Sequence, residues 1–487
     1  MLGTLGLFSG LFSAWWMILW WALPISWQKM SPTALMLLHV APPIIIGIGY
    51  RVWQSIQEKR AAQAEADATS TAEAERVAQR EAARDQHAQQ LAERQHSVSC
   101  RGVWAQAMTI GAEEPDWLSE LPDGVFWQTQ IEDEIDASIE LTEALASNIE
   151  HVLVDLYASA PGAAWLPHYF EALPQIEGRE QLALVQGAQN KAIAAQIFDE
   201  EAHADVRFLP GSGALMARVQ QLLQQNLAAP GVVILAADSP IVAKGELDEW
   251  DMLDPELNSR NPWLGITSQA TVAMVFLRDT LPEVLKPELA EQNEHDVYTP
   301  YWEKQQSYGN ELWGRVPPQW QVSLAELPTL AQLHQAEAAE VESTQLQVLT
   351  RKLHTMFDHA LINAGLRDYP FSEADKDPAK DQAHSIAWLV HNSGDVDVGA
   401  NRLAAVSSAL NAFEVPLNPI DDASNIVREW GDVGAARSAL QTALAITHSA
   451  RLAAPTVLAE FHSPDLNAAE PSTAMIISIL RPQENPA

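Results

Sequence analysis

The residues of this chain that could do chemistry fall in a few short clusters. His391 stands in the run His-Asn-Ser-Gly-Asp-Val-Asp, which brings Asp395 and Asp397 close enough in sequence to form a carboxylate–imidazole pair, the arrangement of a general base. Glu200-Glu201-Ala-His203-Ala-Asp205 combines the carboxylates and imidazole that can hold a divalent metal. Cys100 is the single cysteine of the chain. A thiol becomes a nucleophile only where a helix N-terminus or a cation lowers its pKa. The run Glu246-Leu-Asp-Glu-Trp-Asp-Met-Leu-Asp254 mixes carboxylates with Trp250 and Met252, a composition with which a surface captures a basic partner. Each cluster also has a plainer explanation. Carboxylates in a glycine turn satisfy backbone N–H groups, a polar loop leads into a strand, a lone thiol after a polar linker is passive, and an acidic run is a solvated loop. The chain has no Gly-x-Ser-x-Gly elbow, no Gly-x-x-x-x-Gly-Lys phosphate loop and no His-Glu-x-x-His zinc helix.

The elements that must position such residues are best defined around Arg428–Ile446, a glycine turn at Gly431 that runs into a helix of small and apolar residues. Gly434, Ala435 and Ala436 let the helix start approach a neighbouring backbone, and Ala439, Leu440, Ala443, Leu444 and Ala445 continue an apolar face. So many small residues imply a helix buried in the middle of a layered domain. Ahead of it the periodicity predicts strands at 103–110, 151–159 (HVLVDLYAS), 232–237 and 271–277, and helices at 132–149, 179–198 and 213–227. After a Pro-, Trp- and Tyr-rich stretch at 293–329, the pattern predicts helices at 342–364 and 401–413 and strands at 385–391, 456–461 and 475–480. The chain is therefore expected to be α/β, with two similar α/β halves and sheets buried on both faces.

Residues 1–28 carry no charged side chain and crowd Trp15, Trp16, Trp20, Trp21 and Trp27 into their second half. A second apolar run, Leu35 to Tyr50, follows a polar turn. Together they predict a transmembrane helical hairpin over 1–50. Arg51, Lys59 and Arg60 follow directly and place the rest of the chain in the cytoplasm, at the inner membrane of a bacterium once the resemblance below is considered. The other reading is a signal peptide and a periplasmic protein, but the basic start of a signal peptide is missing. Residues 51–97, rich in Ala, Gln, Glu and Arg, predict a solvated helical spacer without a heptad seam. The remaining boundaries are 98–290 for the first half, 291–340 for the connector and 341–487 for the second half. The chain has 29 Lys plus Arg against 64 Asp plus Glu, a net charge of −35, which excludes nucleic acid as a partner and suits a basic one.

Three motifs resemble the β-ketoacyl synthase branch of the thiolase-like fold, in which two α/β halves stack as helix–sheet–helix–sheet–helix. Pro210-Gly-Ser-Gly-Ala-Leu-Met-Ala-Arg followed by Val-Val-Ile-Leu-Ala-Ala-Asp238-Ser239 is similar to the turn, helix and strand that carry the nucleophilic cysteine. With Gly213 on the motif glycine, the nucleophile position falls on Pro210. His391-Asn-Ser-Gly394 is similar to the loop of the first catalytic histidine, and Gly431-Asp-Val-Gly-Ala-Ala-Arg437 to that of the second, where this chain has Asp432. The condensation needs a thiolate and two histidines to stabilise enolate and oxyanion. Proline cannot attack, and an aspartate repels a developing oxyanion. The resemblance therefore implies a synthase fold without the synthase site: no catalytic residue, no cofactor and no metal.

Taken with the apolar N-terminus, the polar spacer, Val390-His-Asn-Ser-Gly394 and Asn401-Arg-Leu-Ala-Ala405, the body resembles the adaptors that accompany type VI secretion lipase effectors. That resemblance implies a non-enzymatic partner of an effector lipase and of the secretion spike protein. The competing expectation is an acyl-thioester-binding or hydrolytic enzyme of the same fold that uses His391 and Asp432.

Overall fold

The computed structural model describes residues 2–22, 30–110, 114–136, 138–196, 198, 202, 205–245, 263–279, 281, 313–343, 345–394, 396–462 and 473–483. The acidic run Glu246–Asp254, the cluster members Glu200, Glu201 and His203, Asp395, and the side chain of Asp397 lie outside the described residues. The chain divides into two units, residues 1–89 and 90–487.

In the first unit, α1 (Leu2–Ala22) and α2 (Pro32–Arg94) form a helical hairpin. Trp15 Nε1 donates to the Leu38 carbonyl at 3.0 Å, and the Trp16 ring meets His39 edge-on at 6.2 Å. Further back along α1, the Phe8 ring fills the space a Cβ would need at Gly47. Contacts that advance along α2 as they recede along α1 make the pair antiparallel. The outward side chains are apolar, with Trp20, Trp21, Leu37 and Ile45 exposed. Among the described residues, one helix, α2, is long and apolar enough to cross a membrane. The sequence reading separated a second apolar run from a spacer at residue 50. Instead α2 is one helix that continues through Pro42 and Pro43 and on to Arg94.

The second unit opens with β1 (Ser97–Met108) and β2 (Val125–Gln130), then α3 (Leu141–Ser159), β3 (His168–Phe170), α4 (Gly178–Ala194), β4 (Val206–Phe208), α5 (Leu215–Gln225), β5 (Gly231–Asp238), α6 (Pro240–Gly245) and β6 (Ala270–Leu277). It continues with α7 (Pro318–Ala325), β7 (Ala331–His334), β8 (Glu337–Val341), α8 (Leu346–Asn363), β9 (Trp388–His391), α9 (Val396–Ala412), β10 (Ala423–Asn425), α10 (Ile426–Glu429), α11 (Arg437–Leu452), β11 (Thr456–His462) and β12 (Thr473–Arg481).

Two expectations are corrected here. HVLVDLYAS is the last half of α3, because its Val152, Leu153, Leu156 and Tyr157 continue a buried stripe begun by Leu141, Ala144, Leu145 and Ile149 at helical spacing. The helix expected at 132–149 starts only at Leu141, and Glu132–Glu134 is a single 3-10 turn. In addition, β7 and β8 fall inside the stretch assigned to the connector and belong to the sheet.

All twelve strands join one mixed sheet in the order β10-β9-β11-β12-β7-β1-β6-β5-β3-β4, with β2 on β1 and β8 on β12. The order repeats. Leaving β2 and β8 aside, each half places its third, second, fourth, fifth and first strands side by side. In each half the fifth strand, β6 or β12, runs antiparallel to its neighbours. The halves meet where β1 pairs with β7.

Three cores fix the layers. Val233, Leu235 and Ala237 of β5 face α3 and α4, whereas Val232, Ile234 and Ala236 face α5 and α11, so the strand needs apolar residues on both sides. In the second half Val457 and Ala459 face α8 and α9, while Leu458 faces the same middle core as α11. This gives helix–sheet–helix–sheet–helix, the layer order that the resemblance implied. Every residue of α11 from Ala439 to Ser449 is buried, and the helix touches strands of both halves.

Candidate functional site

Ligands of layered α/β sheets gather at the carboxyl ends of strands and at nearby helix starts, which directs attention to the starts of α5 and α11 and to the ends of β5 and β9. The turn before α5 holds Gly211 and Gly213 at φ +78° and +97°, and Pro210 stands exposed at its edge. Arg218 folds back from α5 to brace it. Its guanidinium grips Glu171 with two bonds of 2.7 and 3.1 Å and donates to the carbonyls of Pro210 at 3.0 Å and Leu209 at 2.9 Å. Pro210, which has no side-chain donor or acceptor, is thus held through its backbone carbonyl by a buried arginine fork.

Before α11 the turn is built differently. Asp432 Oδ1 accepts the Gly434 N–H at 3.1 Å and the Arg437 guanidinium at 2.7 Å. Its backbone N–H donates to Ile266 at 2.7 Å, and its carbonyl accepts from Ser268 at 2.9 Å. Asp238, at the end of β5, accepts N–H groups of Ser239 and Ala435 at 2.8 Å each, which stitches the first half to the start of α11. Gly434 lies at φ +56°, and a Cβ there would overlap the Asp238 carboxylate. Burial raises the pKa of Asp238, the two N–H groups lower it by less, Asp432 raises it further and Arg437 opposes that. Asp432 therefore acts as the cap of a turn.

His391 ends β9 and is buried, and burial alone pushes it down to about 4, so the ring is neutral near pH 7. Nδ1 lies 3.1 Å from Ser393 Oγ and 3.4 Å from the Ser393 N–H, so Ser393 holds that edge of the ring. Asn392 clamps β11 through Phe461, accepting its N–H at 2.7 Å and donating to its carbonyl at 3.0 Å. Glu460, 1 % exposed, accepts from Ser438 Oγ at 3.0 Å and lies 3.4 Å from His462 Nε2. A serine that donates to a carboxylate is not activated by it in the manner of a serine paired with an imidazole.

Among the described residues, no hydrogen bond or ion pair links Pro210, His391 and Asp432 to one another. Cys100 lies on β1, buried, with its thiol pushed up to about 12 by burial, the opposite of a reactive thiolate. Asp205 pairs with Arg207 at 3.2 Å, and no group of residues suited to a metal occurs among the described residues. The sequence reading missed Glu171 and gave no role to Arg218 and Arg437, although both stand in its motifs. The signal for Arg218 was a charged residue at a buried-face position of an apolar helix.

No protein-family model matches the chain, and no curated protein matches it significantly. Solved structures that resemble it include CsyB complexed with CoA-SH, at 11% identity over 80% of this chain and 100% of that one, with a TM-score of 0.40. Human mitochondrial 3-ketoacyl-CoA thiolase is 10% identical over 80% of this chain and 99% of that one, with a TM-score of 0.40. Acetyl-CoA acetyltransferase from Syntrophomonas wolfei is 8% identical over 78% and 98%, with a TM-score of 0.39.

Proposed function

We propose that this protein is a non-enzymatic, membrane-tethered adaptor built on a thiolase-like body, and that it recruits a lipase effector to the spike of a type VI secretion apparatus. One observation carries the non-enzymatic part. The helix start that would hold a nucleophile presents Pro210 over an arginine fork, and the carboxylate in the second histidine's place is already bound to Arg437 and Gly434. A carboxylate whose Oδ1 is held by Arg437 and by its own turn carries negative charge where the condensation needs a hydrogen-bond donor. The apolar outer faces of the α1–α2 hairpin support a bilayer anchor, and Arg51, Lys59 and Arg60 after it support an inner-membrane protein with its body in the cytoplasm. The effector and the spike as partners rest on the motif order in the second half, from Val390 to Arg437.

The test is co-purification of the full chain with a lipase and a spike protein encoded beside it. Retention of both by a His391→Ala, Asp432→Ala variant supports the reading; failure of either to co-purify with the full chain, or equal capture of both by an unrelated membrane protein, sinks it. The second reading is an acyl-thioester-binding or hydrolytic enzyme that uses His391 and Asp432, favoured by the neutral His391 ring, which can donate a hydrogen bond to a carbonyl.

A further inference from the structure

Away from these turns, the strand β2 keeps one edge open. It runs parallel to β1, with Val125 beside Val103 and Gln130 beside Met108. Two bonds bracket the pairing, from the Val103 N–H to the Gly124 carbonyl and from the Thr109 N–H to the Gln130 carbonyl, each 3.0 Å. In a parallel ladder this phase turns the backbone groups of Phe126, Gln128 and Gln130 towards β1 and those of Val125, Trp127 and Thr129 away from it. The Val125 N–H is taken by the Pro122 carbonyl at 3.1 Å. The N–H and C=O groups of Trp127 and Thr129 have no hydrogen-bond partner among the described residues, where β2 pairs with β1 alone.

Such an edge is a template for another strand, and soluble proteins guard it with a charge, a proline or a bulge. Val125-Phe-Trp-Gln-Thr-Gln-Ile131 has no charge and no proline, and its pairing with β1 runs without a shift in register. Phe126 and Ile131 are 43 % and 42 % exposed. Along the strand opens a cavity of about 440 Å³, lined by Trp104, Phe126 and Gln128 and by Val152, Asp155 and Ser159 of α3. The flanks are acidic. Glu114, Asp116, Glu120 and Asp123 precede β2, Glu132, Asp133, Glu134 and Asp136 follow it, and all eight are exposed. Glu114 accepts from Thr129 Oγ1 and so stands beside the open groups. No lysine, arginine or histidine occurs between residues 102 and 150. Among the described residues, Glu120 alone of the eight has a cationic partner, Arg451 at 3.5 Å. A second copy of this chain would bring the same carboxylates against themselves, which disfavours self-pairing at this edge.

We propose that the open edge of β2 takes an extended basic segment of a partner protein as an added strand. The segment's backbone bonds to Trp127 and Thr129, and its lysine or arginine side chains lie against the acidic flanks. Main-chain bonds supply the affinity of such an addition, and complementary charge selects the partner. The edge is a binding site whether or not the adaptor reading holds.

The experiment uses the full chain in detergent and fluorescently labelled peptides, with binding read by anisotropy. The probe is Lys-Arg-Thr-Val-Thr-Val-Thr-Arg-Lys-amide. One control replaces its basic residues by glutamate, and the other keeps them but carries N-methyl groups on the central threonines and valines, which removes the backbone donors. The probe is expected to bind about tenfold or more tightly than either control. It should also slow hydrogen exchange at the Trp127 and Thr129 amides, with little change at Phe126, Gln128 and Gln130, which already bond to β1. Thr129→Pro removes an outward N–H without touching the bonds to β1, and should weaken the probe about fivefold or more. Equal binding of the N-methylated peptide would mean that charge alone attracts, and equal binding of the acidic one that the flanks select nothing; either overturns the proposal. So would unchanged exchange at Trp127 and Thr129 with the probe bound, or protection there in a dimer of the chain without it. The peptide comparison needs no variant and so stands even if Thr129→Pro fails to fold. A chain that co-purifies with the effector yet ignores the probe sinks this site and leaves the adaptor reading intact. Probe binding by a chain that retains no effector does the reverse.

Discussion

The two helices of the middle layer begin in opposite ways. The turn before α5 lies at the surface, braced from within by Arg218 and Glu171, and a Cβ added at Gly213 meets nothing. The turn before α11 is wedged between the halves, with Asp238 on one side and Ile266 and Ser268 on the other, and its Gly434 has no room for a side chain. The same topological position thus became an exposed turn in one half and an internal fastening in the other. With the β1–β7 pairing, this turn ties the second half to the first.

That contrast can be broken in several ways. The largest effect is expected from acid. His334, His391 and His448 of the second half are pushed by burial down to about 4, 4 and 3 from 6.5, against His168 alone in the first half, at about 4. A histidine whose pKa falls on folding binds fewer protons in the native state, so its contribution is full above pH 6.5 and is lost as pH drops towards 4. Glu429, raised to about 7 from 4.5, works the other way, and its contribution fades as pH rises between those values. Hydrogen exchange between pH 7 and pH 4.5 should therefore show the second half losing protection first; uniform loss would contradict the contrast.

Next comes Gly434→Ala, which adds a clash with Asp238 to the strain of a left-handed backbone and should cost about 3 kcal/mol or more in urea unfolding. Gly213→Ala, strained but unobstructed, should cost about 1 kcal/mol. Equal costs would remove the distinction between the turns. Arg218→Ala strands Glu171 and two carbonyls and should cost about 2 kcal/mol, because Glu171 keeps some contact with water. The smallest effect is Asp432→Asn, about 1 kcal/mol, since the turn bond to Gly434 survives the loss of charge against a partly exposed Arg437. Asp432→His should add no acyl-transfer activity.

Much of this fold could be read from residue patterns, and the failures have physical causes. The strands at 232–237 and 271–277 were plain because both faces are buried and the residues are β-branched or apolar throughout. HVLVDLYAS misled because a nine-residue window rich in valine hides a stripe that starts ten residues earlier, at Leu141. The strands β7 and β8 were hidden because AQLH and EAAEV are short and mostly polar or small, and earn strand structure only from their neighbours. At the candidate site, the motifs located Pro210, His391 and Asp432. Arg437 and Arg218 lie only five and eight residues from Asp432 and Pro210, inside the same motifs, whereas Asp238 reaches Ala435 across 197 residues, a contact that no local pattern encodes.

The central claim is that this body binds without performing acyl chemistry. It is tested most directly by incubating the full chain with a fatty acyl-coenzyme A, then recording its intact mass together with released free thiol. The account predicts an unchanged mass and thiol release no faster than in the blank. An acyl adduct, or turnover that disappears in His391→Ala, would contradict it.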